Sequence, residues 1–359
     1  MSTGSNGRSR AEGGPANKRR KVEPGEPADA PPPPAPDIGE RSTDFWFDEG
    51  NVIVASRGKA FRVHTGILML RSEVFKRLLN GPVLAQQPEQ LEGCPIVRVQ
   101  DGAREFHDLL HIIYNGGNSD WLKTKRPPIA YDDFRIVVPI AVKYEVQEIV
   151  EEARYRLSRI FPTSSLHNWD PSLCPDGDAT ALQLVHLDCI DALRLARLLD
   201  LPALIPLIFY AICNIADLAE VAAGVDYEDG APRAVLAPDD LRTYLVGRQA
   251  LMQESLRVLR ALHELGAEKG ARVAGCSSPK RCRPAFHALA LTALDDELYC
   301  EPSPIDNMET WLANVARTTP EARPCKHCDE AVRKLINERR EEAWRKLGTI
   351  FGVPEWPAG

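Results

Sequence analysis

The chain has 359 residues, a 44% hydrophobic fraction and a net charge of −7, which is enough for two or three domains with packed cores. So mild a charge gives no electrostatic case for nucleic acid or a membrane surface. Nine cysteines, an odd number at irregular spacings behind a polar start, predict a soluble protein of a reducing compartment rather than a secreted one.

Residues 1–40 are rich in Gly, Ser and Pro and hold almost no large apolar side chain. Such a stretch cannot offset its chain entropy by burial, so a disordered arm is predicted, with order starting near Asp44. Inside it Lys18, Arg19, Arg20 and Lys21 are four consecutive cations before Val22, the pattern of a nuclear import signal read by an acidic groove on an import receptor. Arg8 and Arg10 offer a second half for a bipartite signal. The arm's six Lys and Arg are matched by six Asp and Glu, which argues against a DNA-binding tail. The expected location is nucleus, cytoplasm or both.

Val52–Ala55 and Phe61–Val63 flank Ser56-Arg57-Gly58-Lys59 and predict a hairpin. Apolar residues at 67, 68, 70, 74, 75, 78 and 79 then fall mostly three or four apart, so the chain changes from strand to helix period. A third strand is predicted at Ile96–Val99, followed by a helix carrying Phe106, Leu109, Leu110, Ile113 and Tyr114. From 131 to 216 the pattern repeats at an offset of 55. Ala141, Val146, Ile149, Ala153 and Leu157 are echoed by Ala196, Leu201, Leu204, Ile208 and Ile212. Each copy reads as a helix, a break at Tyr144-Glu145 or Asp200-Leu201-Pro202, and a second helix. Pro139, inside the first copy, predicts a kink or a late helix start.

Phe61, His64, Leu68, Ser72 and Phe75 fit an F-x-x-H-x-x-x-L … S-x-x-F spacing, and Ala141–Val146 fits A-x-K-Y-x-V through Lys143 and Tyr144. With the hairpin before them, residues 41–161 resemble a BTB/POZ domain. Asp44-Phe45-Trp46-Phe47 and Phe351–Trp356 resemble the large set of BTB proteins of mushroom-forming fungi. The resemblance implies an α+β fold: a small mixed sheet covered by helices, followed here by an all-α region over 162–359. It further implies a protein-protein adaptor or scaffold that homodimerises, with no catalytic residues and no required cofactor. In that family His64 is a buried structural residue whose ring bonds nearby backbone. Asn51 stands where many animal members carry an Asp of a charged dimer pocket, and an amide cannot supply that charge. A cullin partner is a common fate of such domains, through a hydrophobic-x-Glu element. The equivalent stretch, Tyr114 to Tyr131, holds Trp121-Leu122 but no Glu.

Further on, 223–235 reads as a loop and Asp239 as the N-cap of a helix with Leu241, Leu245, Leu251, Leu256, Leu259 and Leu262, interrupted in pattern by Gly247. A loop is predicted over 270–284, then helices near 285–299, 309–316 and 326–347, the last with Leu335, Trp344 and Leu347 on its packing side. The longest apolar run, Leu201 to Ala216, is broken by Pro202 and Pro206 and is too short for a membrane span.

No phosphate loop, Gly-x-Ser-x-Gly elbow or His-Glu-x-x-His helix occurs, so no enzyme is predicted. No zinc-finger array or homeodomain-like helix follows either, so a regulator of transcription would not read DNA directly. Cys325-Lys-His-Cys328, with Cys276 and Cys282 upstream, supplies four soft ligands for a structural zinc, with Cys300 and His287 in reserve. Unconnected buried or surface thiols are the alternative.

Overall fold

Order begins earlier than composition predicts. Ile38 is buried against Ile53, Ala55, Ala60, Cys94 and Ile96, and the first strand starts at Glu40. The computed structural model describes residues 36–169, 182–184, 186–215, 217–227, 233–266, 273–296, 303–306 and 308–356. The Lys18–Lys21 tetrad, most of the predicted arm, and Cys300 lie outside them. The chain divides into two units, Met1–Asp37 and Ile38–Gly359, and the second is described below.

Strands β1 (Glu40–Trp46), β2 (Val52–Arg57), β3 (Lys59–Val63), β4 (Gln90–Leu91) and β5 (Cys94–Gly102) form one sheet in the order β1-β3-β2-β5-β4. β2 and β3 are the predicted hairpin, turning at Gly58 (φ 79°) with Val54 opposite Phe61. β2 also pairs parallel with β5, Val54 beside Val97. The two-residue side-chain period therefore gives each face its own core. Val52, Val54, Phe61, Val63 and Val97 face the main one; Ile53, Ala55, Ala60, Cys94 and Ile96 pack beneath with Ile38. The strand β1, parallel to β3, has no counterpart in the sequence reading.

Helices α1 (Thr65–Arg71), α2 (Glu73–Leu78) and α3 (Gly81–Leu84) follow the hairpin, and α4 (Ala103–Asn115) follows β5. Strand β6 (Ile129–Ala130) leads into α5 (Tyr131–Lys143) and α6 (Gln147–Ile160). α7 (Leu166–Trp169), β7 (Leu182–Gln183), α8 (Cys189–Leu198) and α9 (Ile205–Cys213) come next. Pro139 lies inside α5, which starts well before it at Tyr131, so no late start occurs. The two helical pairs do share one backbone device. Glu145 and Asp200 both adopt positive φ, 50° and 56°. After each, an amide closes back across the helix end: Val146 N–H onto Ala141 C=O and Leu201 N–H onto Ala196 C=O, both at 2.9 Å.

α10 (Leu218–Ala223) precedes the long helix α11 (Pro238–Gly266), followed by α12 (Pro279–Asp295), α13 (Glu309–Thr318) and α14 (Lys326–Ile350). α11 starts at Pro238, so Asp239 sits within its first turn and is not the cap; proline's fixed φ suits the first helical position. Proline does the same for α12 at Pro279, shortening the predicted loop and putting Cys282 on a helix. Only some of the predicted leucines of α11 lie on its packing face. Leu245 and Leu256 are exposed, and the buried line is Tyr244, Gly247, Leu251, Ser255, Val258 and Leu262. The small residues on that line let α11 close on its neighbours. A Cβ on Gly247 would lie 2.2 Å from Cε1 of Phe351, whose ring stacks on Phe209.

The main core runs without interruption from Phe45 through the helices past residue 161 to Phe351 and Trp356. A second, smaller core gathers Val258, Leu262, Phe286, Leu289, Leu312, Val332 and Ile336 between α11, α12, α13 and α14. The far half of α14, through Ala343, Trp344 and Leu347, belongs to the main core, so this helix spans both.

Candidate functional site

The family-like positions of the first half form one connected group. The Ser72 hydroxyl caps α2 by accepting the Phe75 N–H at 3.0 Å, and it donates to the Tyr144 carbonyl at 2.5 Å. Tyr144 ends α5, and its ring stacks on Phe75 at 4.5 Å between centroids, with Phe106 edge-on to both and tilted against Phe61. Asp101, at the end of β5, accepts from the Tyr144 hydroxyl and from Lys143 Nζ, each at 2.6 Å. Burial and that carboxylate push the Tyr144 hydroxyl far above its ordinary pKa, so it stays a neutral donor. Leu68 is fully buried under α1. The arrangement locks β5, α2 and the α5 stop together.

His64 is half-buried rather than enclosed, and its ring Nδ1 lies 3.1 Å from the Tyr114 hydroxyl rather than against backbone. The hydroxyl also accepts the His64 backbone N–H at 2.9 Å. Phe47 stacks on Tyr114 and tilts onto His64. His64 is the cap residue of α1, at the junction of strand and helix. Asn51 supplies what the start of α1 otherwise lacks. Its amide oxygen accepts the Thr65 N–H at 2.9 Å and its nitrogen donates to the Thr65 hydroxyl at 3.0 Å. Neither the pairing of Tyr114 with His64 nor the role of Asp101 is legible in the sequence, because each meets its partners across more than forty residues with no local spacing to mark it.

The cysteines form a second group. The Sγ atoms of Cys276, Cys282, Cys325 and Cys328 all lie within 4.8 Å of one another. Cys276 is on the loop before α12, Cys282 in that helix's first turn, Cys325 at the cap of α14 and Cys328 in its first turn. The last three are buried. Backbone N–H groups of Cys328 and Ser277 point at Cys325 Sγ and pull its thiol down to about 5. Burial pushes the Cys282 and Cys328 thiols up. The Cys325 N–H reaches Cys282 Sγ at 3.2 Å. His287 is not in this group; it packs against His263 with centroids 4.8 Å apart.

Residues 47–159 match the family model for the BTB/POZ domain. This stretch is a BTB/POZ domain. No curated protein matches the chain, and no solved structure does. The BTB/POZ domain is a protein-interaction module, and here it is followed by a helical region. No helix among the described residues is long and apolar enough to cross a membrane.

On the BTB/POZ surface the three short helices α1–α3 carry apolar side chains outward. Leu70, counted in the apolar pattern of α1, is 79% exposed, and Leu78 and Val83 are more than a third exposed. Trp121, in the stretch that would meet a cullin, is instead buried and stacked on Phe134. Arg156, fully buried on α6, ties that stretch down, donating to the Asp120 and Pro127 carbonyls and pairing with Glu152.

Proposed function

We propose that the chain is a protein-interaction adaptor whose BTB/POZ domain pairs with a second copy of itself through the α1–α3 face. The observation that carries this is Leu70. A large aliphatic side chain almost wholly in water costs about 2 kcal/mol relative to burial, and on this domain it is joined by Leu78 and Val83 on the helices next in sequence. Asn51 leaves that dimer without the acidic pocket residue, so selection of co-repressor partners through that charge is not part of the proposal. A cullin is not part of it either, because Tyr114–Tyr131 holds no Glu and its Trp121 is turned inward.

The test is the mass in solution, by light scattering or sedimentation across a concentration series. The expected result is a dimer for the parent chain and a monomer of unchanged helix content for Leu70→Asp. A parent chain that stays monomeric at tens of micromolar, where an interface of about 8 kcal/mol would hold, overturns the reading.

The adaptor is further proposed to reach the nucleus through Lys18, Arg19, Arg20 and Lys21, bound by an import receptor and acting there without reading DNA. A fluorescent fusion is expected to be enriched in nuclei and to lose that enrichment when all four become Ala. Equal distribution of both forms would remove the import step and leave the adaptor in the cytoplasm.

A further inference from the structure

We infer that Cys276, Cys282, Cys325 and Cys328 hold one zinc ion in a closed tetrathiolate site that staples the second core. The inference does not depend on the adaptor reading.

Four sulfurs drawn from three segments converge on one point. Around a tetrahedral zinc with Zn–S near 2.3 Å, neighbouring sulfurs stand about 3.8 Å apart. All four Sγ atoms already lie within 4.8 Å of one another, so only a small contraction separates them from that geometry. Disulfides would need closeness within two pairs, and nothing in pairwise bonding brings all four sulfurs mutually together.

The surroundings suit thiolate. Zinc takes cysteine as the anion, and a cluster of anions needs compensating donors. Cys325 caps α14 and Cys328 lies in its first turn, where free backbone N–H groups and the positive end of the helix dipole gather. One donor reaches a sulfur there: the Cys325 N–H lies 3.2 Å from Cys282 Sγ.

The ligand set chooses the metal. Calcium and magnesium require oxygen, and no carboxylate belongs to the cluster. An all-sulfur tetrahedral set suits zinc and iron, and zinc forms its closed structural sites from four cysteines. With every position taken by sulfur there is no place for water or substrate, so the centre is structural. Its mechanical sense is local. Cys282, Cys325 and Cys328 are themselves members of the second core, and the ion would join the ends of α12 and α14 to the loop between α11 and α12.

The test uses the full chain, purified without chelator. Metals are measured by mass spectrometry of the digested protein, and thiols are counted before and after denaturation. The expected result is near one zinc per chain, with the four cluster thiols shielded in the native protein in addition to the buried Cys94, Cys189 and Cys213. Cys325→Ser and Cys276→Ser should lose the zinc, whereas Cys189→Ala, outside the cluster, should keep it. Because a variant could fail to fold, the parent protein is also stripped and titrated with cobalt(II). Tetrahedral sulfur coordination then gives intense visible bands and a near-ultraviolet sulfur-to-cobalt transition. Zinc far below stoichiometry, iron in its place, disulfides in the freshly purified protein, or zinc retained by both serine variants would each overturn the inference.

Discussion

Ser72 uses both sides of its hydroxyl, and the BTB/POZ helices hang from it. Removing the hydroxyl strands the Phe75 N–H at the start of α2 and the Tyr144 carbonyl at the end of α5 together. Ser72→Ala should therefore cost about 2–3 kcal/mol, more than an isolated cap. The check is the urea midpoint, which should fall with the slope unchanged. A shift no larger than that of an exposed serine replaced the same way would show that the carbonyl finds another donor. At this scale the sequence was readable where residues sit in a fixed local spacing. Phe61, Leu68, Ser72, Phe75, Lys143 and Tyr144 stand out because their spacings resemble the BTB/POZ signatures. Their counterparts do not. Asp101 looks like one more polar residue at a strand end, and Arg156 like one more solvated cation on a charged helix. Only tertiary contact reveals that each satisfies buried polar groups.

Between elements, small residues decide how closely the long helices approach. Of the leucines that predict α11, Leu251 and Leu262 are buried but Leu245 and Leu256 are in water, and the buried line also runs through Gly247 and Ser255. Apolar period alone cannot distinguish a ridge from a groove, because both recur every three or four residues. Gly247→Ala should be destabilising by about 1–3 kcal/mol despite alanine's better helix propensity, since its Cβ would meet the Phe351 ring, itself held on Phe209. Thermal melts of Gly247→Ala and of Gly247→Ala/Phe351→Leu check this. The second change should recover part of the loss, because a narrower side chain yields the space. An alanine variant as stable as its parent would show that the ring moves freely. Helix starts were misplaced for a related reason. The sequence pattern puts Pro238 before the Asp239 cap and Pro279 in a loop, although the first helical turn is where proline fits.

Across the whole molecule, residue 161 marks the end of the recognisable family pattern but not the end of a core. The Tyr131 hydroxyl donates to Asp191 at 3.2 Å, Arg154 Nε donates to the Leu199 carbonyl at 2.9 Å, and β6 pairs with β7. A fragment of residues 38–161 should accordingly lose the sharp melt of the full chain, measured by circular dichroism. An equally hot and cooperative melt would make the BTB/POZ region self-sufficient. The opposite extreme of the chain raises a different matter. α14 stops where Gly352 turns at φ 73°, the Val353 N–H closes onto the Gly348 carbonyl at 2.7 Å, and the Trp356 indole donates to the Trp344 carbonyl at 2.9 Å. Phe351 and Trp356 thus finish a core that Phe45 began. A ribosome makes these residues in the reverse of the order in which the packing needs them. While α11 emerges, the hollow over Gly247 and the open face of Phe209 have nothing to fill them, and an apolar seam stays exposed until Trp356 has left the exit tunnel. A premature stop upstream of Phe351 would leave that seam open, and the product would be a sticky intermediate instead of a shortened adaptor.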